Sequence, residues 1–307
     1  MLLICRFYTA IRTVLIAAFL LSFSCAYAGT LNLTLVLSES GGAYLEYSKA
    51  LDAQLKGSDV KLRVIGVGTP LPESDLVIAA GMNAALSLAR ARPAAMLAVL
   101  VPAEGYRKLQ NEFVSPANNA AGMLSAIYLD QPFRRQFELI ATVLPDTKSV
   151  GVLYSTPPRE LSSLRVLAKA RNLELKERST ASANSLHAAL QEILLGSDVL
   201  LALPDAEIYN TSTIRNVLLA TYRSKVPLVG FSAAYVKAGA LCAVYSTPAQ
   251  IAAQSAAIIR EFSVSRLLPS AQYAKDFEVS VNEQVARSLG LNIKSAIQVR
   301  SEMGVAP

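Results

Sequence analysis

The sequence predicts an α/β protein built on two parallel sheets, each covered by helices on both faces. Three observations carry this. Short apolar runs rich in β-branched residues alternate with stretches of helical periodicity. That alternation stops near residues 118–126 and starts again. The chain has 307 residues, of which 52% are hydrophobic. That is enough for two domains with ordinary cores, and no 20–50-residue repeat or low-complexity linker argues otherwise.

In the first half, residues 31–37 read as a strand. Tyr44, Tyr47, Leu51 and Leu55 follow at helical spacing. Residues 60–65 are a second strand, and 75–80, ending in Gly81-Met82-Asn83, a third. A helix is expected over 84–91 and a fourth strand over 96–101, stopped by Pro102. In the second half, Phe133, Phe137, Ile140 and Leu144 mark a helix over 132–144. Strands are expected at 149–154, 173–176, 198–203, 227–231 and 239–245. Helices fall at 161–171, 186–195, 214–222 and 249–262.

The first 28 residues stand apart. They carry Arg6 and Arg12 and no acid, a ten-residue apolar run over 14–23, and the small-x-small pattern Ala26-Tyr27-Ala28. This reads as a cleaved secretory signal peptide over 1–28, because ten residues do not span a bilayer. An uncleaved anchor is one alternative. Lipidation at Cys25 is another, although Ser22 stands where a lipobox wants Leu. Cleavage removes Cys5 and Cys25 and leaves Cys242 alone, so no internal disulfide is available and the fold depends on its core. The net charge of +6 is spread out, with no basic run longer than Arg134-Arg135. Nucleic-acid binding wants a clustered basic stripe with exposed aromatics and is not expected.

In open α/β sheets a ligand lies past the carboxyl ends of the strands. Those ends offer Ser38 and Ser40, Met82 and Asn83, Tyr154 and Ser155, Asp205, Phe231 and Ser232, and Tyr245; Tyr128, beside the break, joins them as a ligand-binding candidate. Hydroxyls and rings beside small residues suit a small organic ligand held by hydrogen bonds and aromatic contact.

Chemistry finds less support. His187 is the one histidine, sits in an amphipathic helix away from any strand end, and leaves no transition-metal ligand set. Gly230-Phe-Ser-Ala-Ala234 ends in Ala where a nucleophile elbow needs Gly. Gly66-Val-Gly68 lacks the third glycine of a dinucleotide loop, and no phosphate loop exists. Ser58-Asp-Val-Lys61 lies on a strand rather than a helix. No cofactor and no catalytic residue is expected. Asp205, after the apolar run and Pro204, has two compatible readings: a cap for the turn that follows, or a fixed acceptor for a ligand amine or hydroxyl. On the second reading, Asp205→Ala weakens ligand binding more than tenfold with little loss of fold.

Residues 136–155, which run through Leu144-Pro-Asp146 into Val150-Gly-Val-Leu-Tyr154, resemble the central signature of a family of ABC-transporter substrate-binding proteins. Leu203-Pro-Asp205, Val226-Pro-Leu-Val-Gly-Phe231 with Gly239-Ala-Leu, and Val281-Asn282 with Leu289-Gly-Leu-Asn-Ile293 agree in order and spacing. The resemblance covers roughly residue 75 to the C-terminus. It implies a type I periplasmic-binding-protein fold of two Rossmann-like lobes: 29–122 plus 247–275, and 126–246, with 276–307 unassigned. It also implies a monomer in the periplasm that closes by hinge motion on a small molecule, an amino acid or aromatic metabolite, and presents it to an ABC permease and ATPase. At the cleft the chain departs from the family pattern. Gly81-Met82 replaces Gly-Thr, Val101-Pro102-Ala103 replaces Asp-Pro, and Asn119-Ala-Ala-Gly122 replaces Asn-Thr-Gly.

A ligand-sensing module of the same fold, docked onto a membrane receptor or sensor kinase without transport, is the alternative. A hydrolase using Ser232 or Asp205 is a third reading that lacks partner residues.

Overall fold

The computed structural model describes residues 30–113, 122–182 and 185–304. The signal peptide expected over 1–28 and residues 119–121 of the expected crossing motif lie outside these. Along the first half run β1 (Leu31–Leu37), α1 (Gly42–Leu55), β2 (Val60–Gly66), β3 (Leu76–Ala80), α2 (Met82–Ala91), β4 (Met96–Val101), α3 (Ala103–Phe113) and β5 (Leu124–Tyr128). The second half has α4 (Phe133–Val143), β6 (Ser149–Tyr154), α5 (Leu161–Ala170), β7 (Glu174–Ser179), α6 (Leu186–Leu194), β8 (Val199–Leu201), α7 (Ile214–Arg223), β9 (Leu228–Gly230), α8 (Ala233–Ala238) and β10 (Cys242–Tyr245). The chain ends with α9 (Pro248–Ser265), β11 (Gln272–Tyr273), β12 (Glu278–Val281), α10 (Glu283–Ser288) and α11 (Ala296–Glu302).

Two six-stranded sheets form, in the orders β11-β5-β4-β3-β1-β2 and β12-β10-β9-β8-β6-β7. Every pairing is parallel except β10 with β12, which is antiparallel. That edge strand departs from the all-parallel expectation. The central strands of both sheets are buried on both faces. Leu33 and Leu35 of β1 pack to one side with α1 and α9, while Val36 packs to the other with α2 and α3. In the second sheet Val150 and Val152 face one core and Leu153 the other. Each fully buried leucine of this kind contributes about 2 kcal/mol of transfer free energy.

The chain passes between the lobes three times, at 129–132, 246–247 and 274–277. The second passage starts α9, whose Ser255 Oγ accepts from the Tyr47 hydroxyl of α1 at 2.9 Å. A capping box at Thr247 and Gln250 fixes the start of that helix.

One lobe boundary is corrected and one open assignment is filled. β5 continues the first sheet to residue 128, past the expected limit of 122 and into the range 126–246 given to the second lobe. β5 begins inside the stretch 118–126 where the alternation pauses, and α3, a helix with buried Tyr106, Leu109 and Phe113, precedes that stretch. The tail after 276 builds on the second sheet, through β12 and through Val299 and Met303 in its core. No helix among the described residues is long and apolar enough to cross a membrane.

Candidate functional site

Both sheets reverse strand order at their first strand, β1 beside β3 and β6 beside β8, which is where ligands sit in such folds. The two switch points are closed in related ways. In the first lobe the Ser38 hydroxyl accepts from the Ala84 amide at 3.0 Å, capping α2. Gly81, at φ +90°, permits this approach, since a Cβ there would lie 2.6 Å from the Ser38 hydroxyl and from the Tyr44 ring. In the second lobe Asp205 Oδ2 accepts from both the amide and the hydroxyl of Ser155, each at 2.7 Å. Its Oδ1 accepts from the Glu207 amide at 3.0 Å. Asp205 therefore caps its own turn and ties β6 to β8.

Between the lobes lies a cavity of about 470 Å³, a size suited to a small organic molecule. The first lobe contributes Met82, Pro102, Ala103, Tyr128 and Tyr273; the second contributes Tyr154, Ser155, Glu160 and Asp205. The first passage between lobes adds Asp130 and Gln131, and α4 adds Gln136. Met82 reaches the cavity wall by resting on Gly105, where a Cβ would come within 2.5 Å of its sulfur. A bulge at Leu100, φ +55°, puts Val99 and Leu100 on the same face just ahead of Pro102, which lines the cavity.

Asp130 has the most unusual environment. Its Oδ2 accepts from the Ala103 amide at 2.8 Å, at the start of α3. Its Oδ1 is buried with no hydrogen-bond partner. Burial, reinforced by the nearby Glu160 charge, pushes the Asp130 carboxyl up to about 7, against the pull of the Ala103 amide. Gln136 is 4% exposed, and its Oε1 is likewise unpartnered while its Nε2 donates to the Gln131 carbonyl at 3.0 Å. A protein rarely leaves such acceptors unsatisfied without a reason.

Tyrosines form the aromatic wall. Tyr106 and Tyr128 have ring centroids 5.7 Å apart, and Tyr128 and Tyr273 meet edge to face at 5.1 Å. The Tyr273 hydroxyl crosses the cleft to donate to Glu160, 3.0 Å from Oε2. Burial first, and Glu160 beside it, raise the Tyr273 phenol well above its ordinary value.

The three passages are bonded to one another. Gln131 Nε2 donates to the Ser246 hydroxyl at 2.9 Å, and Ser246 donates to the Asp276 carbonyl at 2.6 Å. Arg135, 4% exposed, donates to Gln131 Oε1 and to the carbonyls of Ala274 and Lys275, at 3.2 and 3.3 Å. Its guanidinium stacks 4.2 Å over Phe277, which Arg300 also covers at 3.7 Å. Burial first, then the charge of Arg300, lowers the Arg135 proton affinity.

Of the residues expected from strand ends, Met82, Tyr128, Tyr154, Ser155 and Asp205 line this one cavity. The others do not. Ser38 is committed to its cap, and Ser40 and Asn83 are exposed. Phe231 packs against Tyr235, centroids 4.4 Å apart, and Ser232 starts α8. The Tyr245 hydroxyl bonds Ser280 of β12 at 2.9 Å. Asp130, Gln136, Glu160 and Tyr273 were missed. Asp130 carried a signal, an acid two residues after Tyr128, but only to a reader who knew that β5 ended there.

Comparison with known proteins adds the family. A family model described as "ABC transporter substrate binding protein" matches residues 48–304. A tyrosine-binding protein from Clostridioides difficile is 26% identical over 188 residues, 60% of this chain and 49% of its own, so the match spans about half of that relative. Among solved structures, an ABC domain in complex with L-Trp from Streptococcus pneumonia has a TM-score of 0.65 at 18% identity, covering 90% of this chain and 99% of that one. The ligand-free, open structure of a substrate binding protein with adhesive properties from Clostridium difficile has a TM-score of 0.66 at 15% identity, covering 86% and 96%. A conserved domain protein from Vibrio cholerae has a TM-score of 0.63 at 22% identity, covering 89% and 98%. These structural likenesses show the fold.

Proposed function

Because the chain belongs to the ABC transporter substrate binding protein family, we propose that it is a periplasmic solute-binding protein. It is exported by the signal peptide of residues 1–28, captures a small organic ligand between its lobes, and delivers that ligand to an ABC importer. Amino acids and aromatic metabolites are the first classes to consider, given the L-Trp complex and the tyrosine-binding relative. The ligand-contacting set is Met82, Tyr128, Asp130, Tyr154, Ser155 and Asp205. The lobes turn about the passages at 129–132, 246–247 and 274–277, and the closed form is what a permease recognises. Binding, rather than a reaction, is the activity.

The observation that carries this reading is the cavity between two switch points, into whose lining a carboxylate brings an oxygen that is buried and unpartnered. A thermal-shift screen against amino acids, nucleosides, sugars and small aromatic metabolites tests it, read with a dye because the chain has no Trp. A ligand at 100 times its dissociation constant adds about 2.7 kcal/mol, a rise of roughly 5–11 °C at this general size. A library with no hit sinks the solute-binding reading.

A further inference from the structure

We propose that the cavity selects an organic ammonium ion, an amine on an apolar or aromatic body with no carboxylate beside it. This rests on the reading of the cleft as the ligand site and narrows it.

The first ground is the hydrogen-bond balance of the lining. Two of its residues, Asp130 and Gln136, hold buried unpartnered atoms, and both atoms are acceptors. An ammonium group brings three donors and no acceptor, whereas a carboxylate brings acceptors alone. The second ground is that three of the lining amides suited to a ligand carboxylate are already taken. Asp130 Oδ2 occupies the Ala103 amide at the start of α3, and Asp205 occupies those of Ser155 and Glu207. The protein's own carboxylates thus sit where an amino acid would place its own. The third ground is charge. Glu160 faces Asp130 across the cavity, and Arg107 is paired with Glu104. Lys108 and Arg159 also line the cavity but are exposed, as Glu160 is, so the buried charge of the lining is that of Asp130. The rings of Tyr128 and Tyr273 flank the acids and offer π surface to a cation. A carboxylate beside the amine would meet the like charges of Asp130, Glu160 and Asp205.

Isothermal titration of the purified protein at pH 8, where Asp130 carries its charge, decides this. The probes are tyramine and tryptamine, the matching amino acids tyrosine and tryptophan, and 3-(4-hydroxyphenyl)propionate. At least one amine is expected to bind ten times tighter than its amino acid, with no heat from the propionate. Asp130→Asn lowers the amine affinity at least tenfold, and Gln136→Leu lowers it severalfold, with both variants still melting cooperatively. Amino acids that bind as tightly as the amines, or an Asp130→Asn variant of undiminished amine affinity, overturn the inference and leave the solute-binding reading standing. If these five fail, a library hit that lacks an amine overturns the inference alone. Silence of the whole library overturns both.

Discussion

Ser155 and Asp205, fifty residues apart, are joined twice: one carboxylate oxygen receives both the amide and the hydroxyl of the serine, each at 2.7 Å. The pair closes the second lobe's switch point at the wall of the cavity. Charge-assisted bonds of this length are stronger than neutral ones.

Asp205→Ala therefore removes a brace as well as a ligand wall. Chemical denaturation should show a loss of about 2–3 kcal/mol, and ligand affinity should fall more than tenfold. Ser155→Ala keeps the amide bond and should cost about 1 kcal/mol. An Asp205→Ala protein as stable as the parent would return Asp205 to a simple turn residue.

Asp130 should make the ligand-free protein less stable as pH rises. Its folded carboxyl holds a proton up to about 7, whereas an unfolded aspartate releases it near 4. Between those values the folded state binds more protons, so stability falls through that window and stays low above it. Asp130→Asn cannot ionise. It should match the parent below pH 4 and exceed it by about 2 kcal/mol at pH 8. That is less than the whole shift converts to, because solvent reaching the cavity screens the charge. Parallel stability curves for the two proteins from pH 4 to 8 would contradict this.

The Tyr273 hydroxyl and Glu160 bond the lobes directly across the cleft. Tyr273→Phe removes that bond without altering the ring contact to Tyr128. The expected loss is about 1 kcal/mol of closed-state stability, enough to shift the ligand-free ensemble several-fold toward open. Small-angle scattering should show a larger radius of gyration for Tyr273→Phe without ligand and equal radii with it. Equal radii in both conditions would assign the bond no part in closure.

Arg135 holds the passages between the lobes together through Gln131, Ala274 and Lys275. Arg135→Met preserves bulk but strands those buried acceptors. It should cost about 3 kcal/mol in thermal or denaturant unfolding, and ligand binding should weaken with it. A variant within 0.5 kcal/mol of the parent, on the scale of an ordinary surface change, would mean that the passages are fixed by packing alone.

The sequence by itself determined what local periodicity and strand ends can determine. Alternating runs such as 31–37 and 149–154 fixed both sheets, because a strand buried on two faces must be apolar throughout. They also brought Met82, Tyr154, Ser155 and Asp205 into view, since strand ends are local features. Tertiary structure decided the rest. Asp130 gains meaning only when β5 joins the first sheet and sets it against the α3 amide at Ala103. Glu160 and Tyr273 meet across 113 residues of chain, and Arg135 meets Lys275 across 140. No pattern within a window of a dozen residues encodes such pairs. They follow from how two finished sheets stack and how three short passages cross between them, which is why the cavity's buried acceptors became visible only in the folded chain.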